Sequence, residues 1–211
     1  MSNPGDKSMQ PPATTLPEVT HRYGWVIVVS GFAITLTTIG AGRYLYPVIL
    51  PAMKEELFLT YSLSGALASA IMVGYLTSCL VSGVLAVRFG SRVIIALSTA
   101  GLGLAMIGQA FISWYPIALF LMLVIGLGAG GAYIPTAGLI SGWFPPSRRG
   151  MFMAIATMGA NFGILSTAVF GPRILAANGG TEWRPAWIYF GLAALAVGLV
   201  AAVTMREPPA V

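Results

Sequence analysis

Apolar positions along the chain form long unbroken runs, and short polar stretches separate them. Residues 57–87 and 93–147 contain no Asp, Glu, Lys, Arg or His. A bilayer core of roughly 30 Å takes about 20 helical residues, whereas membrane-spanning strands are about ten residues long and alternate in polarity. The pattern therefore predicts an all-α membrane protein with six transmembrane helices, over residues 23–50, 60–87, 93–112, 115–143, 150–174 and 185–205.

The composition agrees with a membrane protein and excludes a soluble fold. Charged residues make up 8% of the chain and apolar residues 57%, whereas a soluble domain has roughly 25% charged residues. The formal net charge of +5 does not indicate nucleic-acid binding, because the arginines lie at the ends of apolar runs and form no basic patch. Membrane lipid is the expected surrounding, and no nucleic acid is expected as a partner.

The distribution of Lys and Arg predicts the orientation of the bundle. With the N-terminus inside, seven of these residues fall on the inner side and three on the outer side, as the positive-inside rule requires. The inner set is Lys7, Arg22, Arg88, Arg92, Arg148, Arg149 and Arg206, and the outer set is Lys54, Arg173 and Arg184. We therefore expect both termini in the cytoplasm and the bundle, residues 23–211, in a bacterial inner (plasma) membrane. Residues 1–22 are polar and proline-rich, which predicts a disordered cytoplasmic tail.

Residues that usually carry enzyme chemistry are almost absent. Cys79 is the only cysteine and His21 the only histidine, so no internal disulfide, metal cluster or histidine relay is expected. The sequence Gly126-x-Gly128-x-x-Gly131 matches the dinucleotide-binding pattern, but it lacks the required strand–helix–strand context. No cofactor and no enzymatic activity are expected.

Three stretches carry a resemblance to a known family. They are Gly83-Val-Leu-Ala-Val-Arg88-Phe-Gly90-Ser-Arg92 after the second span, Trp143-Phe-Pro-Pro-Ser-Arg148-Arg149-Gly150 before the fifth, and Asn161, Gly163 and Gly171-Pro172 within the fifth. Together they resemble the N-terminal six-helix half of a major facilitator superfamily transporter. The resemblance implies that Gly83, Arg88, Gly90 and Arg92 form the loop motif that sets topology and contributes to gating. Val87 stands where the family has an aspartate that contacts the opposite half.

Within that superfamily the chain resembles the monocarboxylate and oxalate–formate branch. Tyr23-Gly24-Trp25 is similar to the start of that branch's first span, and Glu182-Trp183-Arg184 is similar to its loop before the sixth. Monocarboxylate carriers place a lysine in the first span, where this chain has Arg43. The Gly-Arg-Tyr cluster also resembles bacterial carriers with an arginine in the first span.

Arg43 is the only Asp, Glu, Lys, Arg or His within the predicted spans away from their ends. At 100° per residue, Thr35, Thr38, Gly42, Arg43 and Tyr46 share one broad face, which predicts a polar cavity wall. A guanidinium stays charged and binds carboxylates through two parallel hydrogen bonds. Alternatively, Arg43 lies roughly 27 Å beyond Trp25 by helical rise, well above the midplane, and reaches the lipid headgroups.

The candidate substrate ligands are Arg43, Tyr46, Tyr133 and Asn161. Tyr75 and Thr136 are further polar groups at span depth. Family transporters have two six-helix halves with the substrate site between them, and the resemblance covers one. The first functional hypothesis is a half-size carrier of a small organic anion that works as a homodimer or with a complementary membrane chain. The alternative is a non-transporting structural or accessory subunit of a larger membrane complex, which Val87 favours.

Overall fold

The computed structural model describes residues 18–206, with side chains from Tyr23 onward, and this part of the chain is helical with short connections. Six helical segments are long and apolar enough to cross a membrane, which confirms the predicted fold class. The first span comprises three consecutive elements: α1 (Glu18–Thr35), a π-helical segment (Leu36–Ala41) and α2 (Gly42–Glu56). The other spans are α3 (Tyr61–Phe89), α4 (Ser91–Gln109), α5 (Tyr115–Trp143), α6 (Pro146–Ala177) and α7 (Arg184–Thr204).

Span boundaries agree with the prediction to within a few residues except in the first span. That span is helical from Glu18 to Glu56, whereas the prediction placed residues 18–22 in a disordered tail and ended the helix at residue 50. Residues 1–17 of the expected tail lie outside the described residues. The helix passes Pro47 and Pro51 because a proline inside a transmembrane helix is tolerated where neighbours re-satisfy the freed backbone groups.

Glycines bring the helices close together in pairs. The pairs with extensive contacts are α3 with α5, α4 with α7, α4 with α5, and α6 with α1 and the π-helical segment. A Cβ at Gly126 of α5 would collide with the carbonyl oxygen of Ile71 on α3, and one at Gly163 of α6 would collide with that of Leu36. In lipid, where burial between helices gains little, such close backbone approach provides much of the packing energy.

The two ends of the bundle differ in charge. One end, which we call the basic end, carries Arg88, Arg92, Arg148, Arg149 and Arg206, which lie near helix termini. The opposite end, the Glu56 end, carries the acids whose side chains are described: Glu55, Glu56 and Glu182. At the basic end, the Tyr23 hydroxyl donates to the carbonyl of Thr204 at 2.6 Å, and Trp143 Nε1 donates to that of Arg206 at 3.0 Å. These bonds tie the start of the first span and the end of α5 to the C-terminal end of α7 and the residues just after it.

Candidate functional site

Arg43 extends from α2 towards α3 and lies over an aromatic ring. Its guanidinium carbon is 4.4 Å from the ring centroid of Tyr75 and 5.9 Å from that of Tyr44. Its Nη2 lies 3.3 Å from the Met72 sulfur, which is only a weak acceptor. Its Nε is buried and has no hydrogen-bond partner among the described residues. The side chain therefore keeps a strong donor available.

The contact with Tyr75 shows where Arg43 lies along the bundle. Tyr75 is the fifteenth of the 29 residues of α3, so the guanidinium lies level with the middle of that helix. The side chain points to a neighbouring helix and does not reach the end of the bundle. The first span extends to Glu56, so its centre is nearer Arg43 than the predicted limit at residue 50 implied, and the depth of Arg43 relative to the lipid stays a prediction.

The positive charge of Arg43 has no acidic partner in the described part of the chain. The ion pair found there joins Glu56 to Arg184 at the Glu56 end, and no Asp or Glu lies between Leu57 and Thr181. A buried or half-buried charge is costly unless it is paired. The Tyr75 ring face offsets part of this cost, since a cation over an aromatic ring gains about 0.5–2 kcal/mol. An anion would supply the rest.

Tyr75 connects Arg43 to two further groups. Its ring lies under the Arg43 guanidinium, Cys79 lies one turn further along α3, and Tyr133 lies nearby on the adjoining helix α5. Gly130 of α5 makes this possible, because a Cβ there would lie 2.6 Å from the Tyr75 carbonyl oxygen and 3.1 Å from the Cys79 sulfur. Arg43, Tyr75 and Tyr133 thus form one cluster, which we call the Arg43 cluster. It combines one cation with two phenol hydroxyls.

Two of the candidate ligands lie outside this cluster. Tyr46 is 2% exposed and its hydroxyl donates to the carbonyl of Ser64 at 2.8 Å, so it joins α2 to α3 within the apolar core. Asn161 is exposed on α6, the helix that packs against α1 and the π-helical segment. Its role as a ligand stays a prediction.

The expected polar stripe along the first span is not present. Thr35 and Thr38 are buried, and their hydroxyls donate to the carbonyls of Ala156 at 2.5 Å and Ile34 at 2.6 Å. Gly42 is also buried, within contact distance of Leu102. The π-helical segment accounts for the two threonines, because its wider turn breaks the 100° register used to place them on the face of Arg43. Thr136 likewise bonds within its own helix, to Ala132 at 2.7 Å.

Met72 and Tyr44 contact Arg43 but were not among the candidates. Tyr44 follows Arg43 directly in the sequence, which is a usable signal. Met72 resembles any other apolar residue of a spanning helix, and only the packing of α2 on α3 identifies it.

The loop-motif residues lie together at the basic end. Gly90 ends α3 with a φ of 89° and ψ of 139°, a conformation open to glycine and strained for other residues. Arg92 Nε donates to the carbonyl of Ala202 at 2.5 Å and so joins α4 to α7. Arg88 is exposed and lies 5.4 Å from the ring centroid of Phe89. Gly83 is lightly packed, since a Cβ there would have Ile134 at 3.9 Å as its neighbour.

A family model described as Major Facilitator Superfamily matches residues 26–211. Curated relatives include a probable sulfoacetate transporter, SauU, of Cupriavidus necator, 28% identical over 77% of this chain and 37% of the relative. The 4-hydroxybenzoate transporter PcaK of Pseudomonas putida is 25% identical over 88% of this chain and 41% of the relative. A chloroplastic probable anion transporter 3 of Oryza sativa is 25% identical, over 84% and 40% respectively.

The matched region spans about two fifths of the length of these relatives. The match to the family model, residues 26–211, contains both Arg43 and the loop motif at the basic end. The named relatives are transporters, and their names refer to anions.

Proposed function

The chain belongs to the major facilitator superfamily, and on that premise we propose that it forms one six-helix half of a membrane carrier for small organic anions. The observation that carries the proposal is Arg43, a cation level with the middle of α3 that has a free buried Nε and no acidic partner among the described residues. In a family of transporters, an unpaired intramembrane cation at the bundle surface marks a place where an anion binds.

The chemistry of the Arg43 cluster suits binding and release. The guanidinium remains protonated, so it binds the anion as a fixed charge and takes no part in proton transfer. An anionic oxygen that approaches Nε and a neighbouring Nη replaces the weak sulfur contact of Met72 with charge-assisted hydrogen bonds. The hydroxyls of Tyr75 and Tyr133 offer hydrogen bonds to polar groups on the rest of the substrate. Because a single charge supplies most of the affinity, the bound anion can also be released.

The relatives favour an organic anion, and the site favours one with a single anionic group. Sulfoacetate and 4-hydroxybenzoate, in the names of two relatives, are both organic anions. The other described Lys and Arg residues lie near helix ends, so a single arginine at this depth suits a monocarboxylate or a similar monoanion. The monocarboxylate and oxalate–formate branch stays our finer proposal, on the strength of Tyr23-Gly24-Trp25 and Glu182-Trp183-Arg184.

We propose that a second six-helix half completes the site, either a second copy in a homodimer or a complementary membrane chain. An open groove of about 510 Å³ lies at the basic end between α3 and α5, lined by Gly83, Gly90, Pro135 and Gly138. Val87 beside it is 90% exposed. We also propose that both termini face the cytoplasm of a bacterial inner membrane, which follows from the positive-inside rule.

The test uses purified protein and a pair of ligands that differ in charge. Binding of 4-hydroxybenzoate, sulfoacetate and acetate is measured by thermal shift, and their uptake is measured in proteoliposomes. Neutral 4-hydroxybenzamide is the matched ligand without charge. We expect the anions to bind and the amide not to bind, and we expect Arg43→Ala to abolish anion binding and Arg43→Lys to retain part of it. Arg148→Ala, which removes an exposed arginine at the basic end, is the control. Unchanged anion binding by Arg43→Ala would overturn the proposal.

The same open groove and exposed Val87 also favour the second candidate, an accessory subunit of a larger membrane complex. The native mass of the complex extracted in mild detergent separates the two functions. A homodimer or a defined pair supports the carrier. Stable association with a large unrelated assembly, together with no anion binding, supports the subunit.

A further inference from the structure

A second groove lies on another face of α3, away from the Arg43 cluster. Its walls are α3 and α4 and its floor is α5, with a volume of about 370 Å³. The walls carry apolar side chains that include Val81, Leu85 and Leu97, and three serines face it from the same helices: Ser78, Ser82 and Ser98. The cavity opens laterally, because α3 and α4 contact each other far less than each contacts α5.

Ser82 is the unusual residue of this groove. It is 2% exposed, and its Oγ is buried without a hydrogen-bond partner among the described residues. A serine on a helix ordinarily satisfies its hydroxyl with a backbone carbonyl one turn earlier, as Thr77 and Thr99 do here. An unsatisfied buried hydroxyl is destabilising. Because Ser82 Oγ is buried within the wall of the groove, it would gain a partner by turning towards an occupant that carries a hydrogen-bond acceptor.

The end of the groove is positively charged. Leu85 lies three residues before Arg88, about 4.5 Å along the helix axis, so the groove leads to the basic end where Gly90 joins α3 to α4. Arg88 and Arg92 are both exposed there. Gly90 supplies no side-chain cap to α4, so the positive end of that helix adds to their charge. An anionic group is favoured at this point.

We propose that this groove is a binding site for one anionic phospholipid. The phosphate lies beside Arg88 at the start of α4, an acyl chain lies along Val81 and Leu97, and Ser82 turns its hydroxyl towards an ester carbonyl. Basic pockets between transmembrane helices bind anionic headgroups in this way. The site is independent of anion transport through the Arg43 cluster.

The size of the groove favours a lipid chain over a protein helix. A helix of about 10 Å diameter rising 1.5 Å per residue fills on the order of 120 Å³ per residue. A groove of about 370 Å³ then holds less than one helical turn, whereas an acyl chain is narrow enough to enter it. Leu97 on its rim is 66% exposed, in a helix that the bilayer surrounds.

Gly101 offers a way to fill the groove without disturbing the fold. It lines the groove, and a Cβ at this position would meet nothing within 4 Å. Gly65 at the other end of α3 is equally open and lies outside the groove. Gly101→Leu is therefore the test variant and Gly65→Leu its matched control. Arg88→Gln tests the headgroup contact, with Arg148→Gln as the matched loss of an exposed arginine at the same end.

The experiment is native mass spectrometry of the detergent-solubilised protein titrated with phosphatidylglycerol or with zwitterionic phosphatidylcholine. We expect one phosphatidylglycerol adduct bound in preference to phosphatidylcholine, its loss in Gly101→Leu and its retention in Gly65→Leu. Arg88→Gln should weaken phosphatidylglycerol binding about fivefold and leave phosphatidylcholine unchanged, whereas Arg148→Gln should leave both unchanged.

Three outcomes would overturn the proposal. The first is equal phosphatidylglycerol binding by wild type and Gly101→Leu, which would show that the lipid does not enter the groove. The second is equal weakening by both arginine variants, which would show that the lipid binds by surface charge alone. The third comes from a benzophenone amino acid placed at position 97 in native membranes: crosslinking to phospholipid supports the proposal, and crosslinking to a protein chain contradicts it.

Discussion

Glu56, the last residue of α2, is ion-paired with Arg184, the first residue of α7. The other carboxylate oxygen of Glu56 accepts a hydrogen bond of 2.6 Å from Nε1 of Trp183, whose ring is completely buried. One acid thus joins the end of the first span to the start of the last. The ion pair is partly exposed, 32% at Arg184 and 40% at Glu56, so the bond to Trp183 contributes the larger share of stability.

Replacing Glu56 should therefore separate the two contributions. Glu56→Gln keeps an acceptor for Trp183 and loses the ion pair, and we expect a free energy of unfolding lower by less than about 1 kcal/mol. Glu56→Ala leaves the indole N–H without an acceptor and should cost about 1–3 kcal/mol. Thermal unfolding in detergent measures both, with the exposed Glu55→Ala as control. Equal effects of Gln and Ala would contradict this ranking.

Tyr75 should support anion binding through its ring. Tyr75→Phe keeps the aromatic face under the Arg43 guanidinium, whereas Tyr75→Leu removes the cation–π contact. We expect Tyr75→Leu to lower anion affinity about two- to fivefold, since such contacts contribute about 0.5–1 kcal/mol, and Tyr75→Phe to lower it less. Isothermal titration with the best-binding anion compares the variants. A larger loss in Tyr75→Phe would show that the hydroxyl matters more than the ring.

The contact between α6 and the π-helical segment should not tolerate a methyl group. A Cβ at Gly163 would collide with Leu36 and would lie 2.7 Å from the Cα of Gly40. We expect Gly163→Ala to destabilise the bundle by about 1–3 kcal/mol. Gly150→Ala, on the same helix with nothing within 4 Å, should be neutral or slightly stabilising. The melting temperatures in detergent check this, and equal values for the two variants would contradict it.

The two motif glycines should differ in their effect on stability. Gly90→Ala places a side chain at a φ of 89°, which costs on the order of 1–3 kcal/mol. Gly83→Ala meets only Ile134 at 3.9 Å and should leave the melting temperature unchanged. If Gly83→Ala nevertheless reduces anion uptake, its role is at the open groove and not in folding. A large loss of stability in Gly83→Ala would contradict the light packing of this position against Ile134.

The number and limits of the helices followed from the sequence because lipid imposes a strict rule. A chain in the bilayer core has to satisfy its own backbone groups, so length and hydropathy suffice to find the spans. Residues 57–87 and 93–147 contain no charged side chain, so the positions of the spans within them were closely limited. The sequence also indicated that Arg43 was unusual and that Tyr75 and Tyr133 lay at span depth.

The partners of these residues did not follow from the sequence. The prediction grouped Arg43 with Thr35 and Thr38, because it assumed a regular helix through Leu36–Ala41. The π-helical segment depends on tertiary contacts: the close approach of α6 at Gly159 and Gly163 to the backbone of the first span. Likewise, Arg184 was expected at the outer side, but its pairing with Glu56 depends on how the bundle brings the end of α2 beside the start of α7.

The π-helical segment has a geometric consequence for the Arg43 cluster. Its turn holds about one residue more than an α-helical turn, and one residue corresponds to about 100° of rotation. If Leu36–Ala41 became α-helical while α1 stayed packed on α6, α2 would rotate about its own axis. The Arg43 guanidinium would then leave the face of the Tyr75 ring. The missing N–H of Pro47, four residues after Arg43, already leaves the backbone hydrogen-bond ladder incomplete at that point. The first span therefore contains a point of possible rotation directly beside Arg43.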